Sequence, residues 1–157
     1  MSKNIQQMVR VDRREALKAA GASVLALGFA STAQATPEAA AEALSKATGG
    51  AATTMSDKVK FVGLPEIAEN GATVPVGISV DSPMSADNYV KHIHVFAEGN
   101  PSPETITFNL TPTGKAEVNT RIRLGKTQNV VAAAVMSDGS VLTAKREVKV
   151  TIGGCGG

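Results

Sequence analysis

The chain has no tryptophan, one tyrosine, four phenylalanines and a single cysteine among its 157 residues. A lone cysteine cannot close a disulfide within the chain, so the staple on which small exported domains often depend is excluded and stability must come from packing. With aromatics so scarce, the core has to be built mainly from valine and isoleucine. Catalytic signatures are also missing. Gly49-Gly50 lacks the lysine and serine that would make it a phosphate-cradling loop. Serine and aspartate are scattered through turn-like stretches with no triad spacing, and Glu66, Glu69, Asp81, Asp87 and Glu98 fall in or near turns as solvated acids. Nothing here has the form of an active site that turns over alone.

What is present begins with an export signal. Two arginines, Arg13 and Arg14, precede Leu17 and Lys18, and residues 19–30 form an uncharged, mildly apolar run containing Gly21 and Gly28. That run is too short for a permanent membrane-spanning helix. Ala33-Gln34-Ala35 supplies the small-x-small pattern of a signal-peptidase site, so the expected cleavage falls after Ala35. The segment resembles a twin-arginine leader, a route that carries proteins already folded and accommodates a partner lacking a signal of its own. The expected location is therefore the periplasm, with no membrane anchor.

Removing residues 1–35 takes away five basic and two acidic side chains, leaving 11 of the 16 Lys+Arg and 12 of the 14 Asp+Glu. The near-neutral remainder offers no cationic stripe for a phosphate backbone, which excludes nucleic acid as the expected partner. The 122 residues that remain suit one domain with one core.

Residues 36–57 read as a short helix and a linker. Thr36, Pro37 and Glu38 have the starter, first-turn proline and early acid of a helix that runs to Lys46 and stops at Thr48-Gly49-Gly50. Its alanine-rich face is small, suited to a partner or to the surface. From residue 58 the pattern has period two. Val74, Val76, Ile78 and Val80 alternate with Pro75, Gly77 and Ser79, and Ile106, Phe108 and Leu110 alternate with polar residues. Ala116, Val118, Thr120, Ile122 and Leu124 form one face opposite Glu117, Asn119, Arg121 and Arg123. Residues 128–136 are more uniformly apolar, as in a central strand, and Val148, Val150 and Ile152 close the series. Turn signals separate these runs at residues 69–71, 81–83, 98–101, 113–114 and 137–139. About seven short strands in about 100 residues predict an all-β, immunoglobulin-like antiparallel β-sandwich over residues 58–152, without the tryptophan and inter-sheet disulfide of antibody domains.

The last five residues, 153–157, read as a flexible arm in which Gly153, Gly154, Gly156 and Gly157 surround Cys155. Glycines leave the backbone free and the sulfur unshielded, and cysteine chemistry depends on access as well as on thiol pKa. An extended chain from Ile152 to Cys155 spans at most ~10 Å. The alternatives are an incidental cysteine in a frayed tail and a working thiol. An unpaired cysteine retained at so open a place in an oxidising compartment favours the second. Its position fits neither lipid attachment nor prenylation. A Gly-Gly end is shared with ubiquitin-like carriers, but those are α/β folds. His92 and His94 are two apart in an apolar run and point to one face of a strand; two imidazoles fall short of the three or four ligands of a metal site, so no metal is expected.

The leader, the sandwich pattern and the terminus Val148-Lys149-Val150-Thr151-Ile152-Gly153-Gly154-Cys155-Gly156-Gly157 together resemble the SoxY family of sulfur carriers, with further likeness at residues 65–71 and 93–101. The resemblance implies a protein that is not itself an enzyme. It holds sulfur intermediates of thiosulfate oxidation covalently on Cys155, needs no other cofactor, and presents its cargo to partner enzymes. It implies a heterodimer with a SoxZ-like subunit. It also implies visits to a SoxAX-like c-type cytochrome complex that loads the thiol oxidatively, to a dimanganese SoxB-like hydrolase that releases sulfate, and to a sulfane dehydrogenase where one is present. Two alternatives remain from the residues: an exported interaction protein that uses Cys155 for intermolecular disulfides, and a metallochaperone using His92, His94 and Cys155.

Overall fold

Thr36, Pro37 and Glu38 start the first element as the sequence predicts. The computed structural model describes residues 36–153; the expected leader and its cleavage site at Ala35 lie outside them, as do Gly154, Cys155, Gly156 and Gly157. Helix α1 (Pro37–Ala47) has Thr36 as its N-cap, in extended conformation, with its hydroxyl accepting from Ala39 N at 3.2 Å. Lys46 stands in the last turn, and the amide of Gly50 bonds back to the carbonyl of Ser45 at 2.7 Å, with Gly49 and Gly50 both at positive φ.

Among the described residues nine strands follow: β1 (Thr53–Met55), β2 (Val59–Val62), β3 (Ile67–Asn70), β4 (Val74–Val80), β5 (Val90–Ala97), β6 (Glu104–Asn109), β7 (Glu117–Ile122), β8 (Gln128–Met136) and β9 (Val141–Ile152). They form a six-stranded sheet in the order β1-β9-β8-β5-β6, with β3 also on β9, and a three-stranded sheet β2-β4-β7. Between the sheets lies the main core, in which Val74, Val76, Ile78 and Ile122 of the small sheet meet Val90, Ile93, Val95, Val130, Ala132, Ala134 and Val148 of the large one. This is the predicted sandwich, built from valine, isoleucine and alanine. Pro75 lies on the central strand of the small sheet, but pairing with β2 ends at Val62–Gly77, so the sheet is already two-stranded where the proline stands.

The uniform apolarity of β8 has a direct cause, because both its faces are covered. Val130, Ala132, Ala134 and Met136 face the inter-sheet core. Ala133, Val131 and Val135 belong to a second cluster with Phe96, Val141 and the Ala43, Leu44 and Ala47 side chains of α1. The alanine-rich helix is thus neither free at the surface nor reserved for a partner; it covers the outer face of the large sheet, with Ala40 buried.

Three elements depart from the sequence pattern. The expected linker contains β1, which pairs parallel to the start of β9 at Thr53–Val141. The expected turn at residues 69–71 is preceded by β3, which pairs parallel to the end of β9, with Ala68 opposite Val150 and Asn70 opposite Ile152. The final strand begins at Val141 rather than near Val148, so β9 is 12 residues long. The hairpins are antiparallel as predicted, and these two parallel ladders are additions to them. Among the described residues, no helix is long and apolar enough to cross a membrane.

Candidate functional site

The tail that carries Cys155 leaves from a braced end of β9. On one side, β3 pairs with residues 149–152, the amide of Gly71 donates to the carbonyl of Ile152 at 2.7 Å, and Thr151 Oγ1 donates to the carbonyl of Glu69 at 2.8 Å. On the other side the β8 ladder stops at Gln128–Val148. There the hydroxyl of Thr127 replaces a strand partner, accepting from the amide of Val150 at 3.0 Å. The two flanks are tied together, because the amide of Leu124 donates to the carbonyl of Gly71 at 2.8 Å.

Gly153 completes this root. It is half-buried, and a Cβ at this position would collide with the carbonyl oxygen of Gly125, whose carbonyl carbon lies 3.3 Å from where that Cβ would stand. The sequence expectation puts Gly153 in the arm with Gly154, Gly156 and Gly157. The structure places it against the body, where close backbone approach is what requires glycine. Cys155 is two residues further on, which bounds its Cα to within ~7 Å of that of Gly153.

The loop that grips Gly153 is itself held from a distance in sequence. Asn100 donates from Nδ2 to the carbonyl of Arg123 at 2.7 Å, while its Oδ1 accepts from the amide of Gly125 and from Gln128 Nε2, each at 3.0 Å. Gln128, buried, also bonds the carbonyl of Lys126 at 3.0 Å and accepts from the amide of Gly99 at 2.7 Å. Arg123 and Lys126 flank Gly125, are exposed, and form no ion pair among the described residues. These cations lie 32 and 29 positions from Cys155 in the chain. The sequence around the cysteine therefore gives no sign of them; the bonds of Gly71 to Ile152 and Leu124, the bond of Val150 to Thr127 and the approach of Gly125 to Gly153 bring them to the root.

His92 and His94 share the outward face of β5, with ring centroids 6.0 Å apart. A register shift between Val90 and His92 rephases the strand so that Val90 points inward and the histidines outward. Both are bound to the neighbouring β6: His92 Nδ1 lies 2.7 Å from Asn109 Oδ1, and His94 Nδ1 lies 2.8 Å from Thr107 Oγ1, which donates to Glu104 Oε1 at 3.0 Å. Burial holds the His94 pKa below its ordinary value; the Glu104 carboxylate works against this and His92 adds to it.

His94 is opposite Ala133, which is opposite Thr143, nine residues before Ile152 along β9. At the rise of a strand this is roughly 30 Å. A tail that reaches at most ~10 Å beyond Ile152 cannot close that gap. The set His92, His94 and Cys155 is therefore not available to a metal within one chain, and no cluster of three metal-ligating side chains exists among the described residues.

A family model described as "Sulfur oxidation protein SoxY" matches residues 44–155, so the matched region runs through the outer sheet face and the root to end on Cys155 itself. Among solved structures, the sulfur carrier protein SoxY from Chlorobium limicola f thiosulfatophilum is 34% identical with a TM-score of 0.64, and the match covers 74% of this chain and 100% of that one. Two superoxide reductase (neelaredoxin) structures from Ignicoccus hospitalis share the fold alone. They are 19% and 24% identical with TM-scores of 0.55 and 0.54, covering 62% and 73% of this chain and 94% and 92% of theirs. No curated protein matches the chain.

Proposed function

Because the chain belongs to the SoxY family of sulfur oxidation proteins, we propose that it is a covalent carrier of sulfur intermediates, holding them on the Cys155 thiol and presenting them to partner enzymes. The observation that carries this reading is the coincidence of the family match's last position with the only thiol of the chain, three residues past a braced strand end. A thiol so placed has a short tether and a rigid base. It can enter a cleft while the domain stays outside, and a tethered intermediate meets each active site at high effective concentration without release into solution.

The loading step balances as an oxidation. The thiol of Cys155 and the outer sulfur of thiosulfate form a sulfur–sulfur bond, one proton leaves, and two electrons pass to a c-type cytochrome partner. Hydrolysis then breaks the bond between the outer sulfur and the sulfonate: water supplies the oxygen of the departing sulfate, and a persulfide stays on Cys155. In this reading the protein itself turns nothing over and carries no resident cofactor. A SoxZ-like subunit is its companion, and a SoxB-like hydrolase and a sulfane dehydrogenase are its later stops, all in the periplasm.

Arg123 and Lys126 fit an anionic cargo, since positive charge beside the root favours a thiolate and a terminal sulfonate alike. The deciding experiment is intact-mass analysis after incubation with thiosulfate and the oxidising partner enzymes. Sulfur-containing adducts on the wild type and none on Cys155→Ala are expected; the same mass pattern for both would overturn the reading. A reducible disulfide dimer as the only active form would favour the interaction-protein alternative instead.

A further inference from the structure

The carrier reading leaves open what aims the thiol. The end of β9 is bonded to backbone at Gly71 and abutted by backbone at Gly125, and the second strip lies in a loop held by the side chains of Asn100 and Gln128. Asn100 is the centre of that dependence. Its amide reaches over to the carbonyl of Arg123 at 2.7 Å, and its carbonyl oxygen receives both the amide of Gly125 and Gln128 Nε2 at 3.0 Å. Three bonds from one side chain thus fix the residues on either side of, and at, the peptide whose oxygen excludes a side chain at position 153. Gln128 locks Asn100 in turn by bonding the Gly99 amide at 2.7 Å, beside it in the chain.

We propose that Asn100 is a positioning residue of the carrier. By fixing Gly125 it holds Gly153 against the body and so sets the point from which the chain leaves the end of β9. This rests on the carrier reading for its function but not for its geometry. The consequence is a short reach: with Gly153 held, covalent geometry alone keeps the Cys155 Cα within ~7 Å of a fixed point. Short reach makes the direction of the root matter, because a misplacement of about 1 Å at a reacting centre can cost ~10²-fold in rate.

The test uses the full mature chain with its companion subunit and three variants: Asn100→Ala, Gly153→Ala and Gly154→Ala. The first readout is independent of sulfur chemistry. A nitroxide on Cys155 and a second on Lys115→Cys, an exposed loop position, give a distance distribution by pulsed electron paramagnetic resonance. Asn100→Ala is expected to broaden the distribution and Gly153→Ala to displace its centre, with Gly154→Ala leaving the centre in place. The second readout compares loading by the partner enzymes with alkylation by iodoacetamide. Asn100→Ala and Gly153→Ala are expected to lose at least ~10-fold in enzymatic loading while alkylation stays at the wild-type rate. Distributions for all three variants that coincide with the wild type would overturn the proposal, and so would parallel loss of loading and alkylation. Should Asn100→Ala fail to fold, Gln128→Ala, which removes the bond to Asn100 Oδ1 and the one to the Gly99 amide, takes its place in both readouts. Wild-type protein that gains no mass on Cys155 would sink the carrier reading, and the distance measurement would still decide the pinning.

Discussion

His94 Nδ1 lies 2.8 Å from Thr107 Oγ1, and because the Thr107 hydroxyl itself donates to Glu104 Oε1, Nδ1 is the donor and the buried Nε2 of His94 is left as an unprotonated nitrogen with no partner. A ring in this state resists a second proton. Burial is the main cause, His92 contributes in the same direction, and Glu104 opposes.

The pH dependence of stability follows in sign. Below the unfolded-state value of about 6.5, the unfolded chain takes up a proton that the folded ring declines, so stability falls as pH drops through that point and levels off once the folded ring titrates too. Urea midpoints at about pH 7.5 and about pH 5.5 should separate more for the wild type than for His94→Phe, which removes the titrating group. Equal separations would assign the acid sensitivity elsewhere.

Gly77 sits at the centre of the small sheet, where Val62, Gly77 and Asn119 are in register across β2, β4 and β7. A Cβ there would stand 2.6 Å from the carbonyl oxygen of Val62 and collide with Asn119 Oδ1. Gly77→Ala is expected to destabilise the fold by about 1–3 kcal/mol, the usual cost of forcing extra volume into a packed site. Because Gly77 stands six residues along the chain from Gly71, roughly 20 Å at the rise of a strand, a thermal melt should shift while alkylation of Cys155 does not.

Phe96 is the largest buried side chain under α1. It borders a cavity of about 230 Å³ that Leu44, Val131 and Thr143 also line. Phe96→Ala joins the lost ring volume to an existing void, so its cost should lie in the range of about 3–5 kcal/mol. Thr36→Ala removes only the N-cap bond to Ala39 and should cost about 1 kcal/mol. Denaturant titrations that rank the two in the opposite order would mean the helix is held by its cap rather than by its apolar face.

Reversing the charge at Lys126 addresses the cations beside the root. Lys126→Glu should raise the pH at which Cys155 becomes half-alkylated, because a carboxylate near a thiol disfavours the thiolate. The shift should shrink in salt, as exposed charges are screened within about 10 Å at 0.1 M ionic strength. A salt-independent shift would indicate a structural effect instead.

Most of the sandwich was legible because one-sided burial leaves a period-two trace: β4 and β7 alternate in burial as their residues alternate in type. Helix α1 was legible through Thr36, Pro37 and Lys46. The elements that escaped are those whose identity depends on a distant neighbour. β1 has three exposed residues and β3 a single buried one, Ala68; each is a strand only because β9 offers it an edge. The root is hidden for the same reason. Gly153 reads as one more flexible glycine until Gly125 is placed against it, and Asn100 reads as a turn residue until the loop at residues 123–128 closes over it. The covering of β8 on its second face was written in its alanines and valines, but not what covers it.

The length of β9 carries a mechanical consequence. Hydrogen bonds to β8, β1 and β3 stand across its axis along nearly the whole of its course. If the tail is drawn from a partner's cleft, as the proposed carrier function requires, the tug runs along that axis and loads these bonds together, in shear. A terminal strand pulled sideways would instead surrender them one after another, like a zip. On that proposed function, this end of the domain is the one suited to repeated docking and withdrawal.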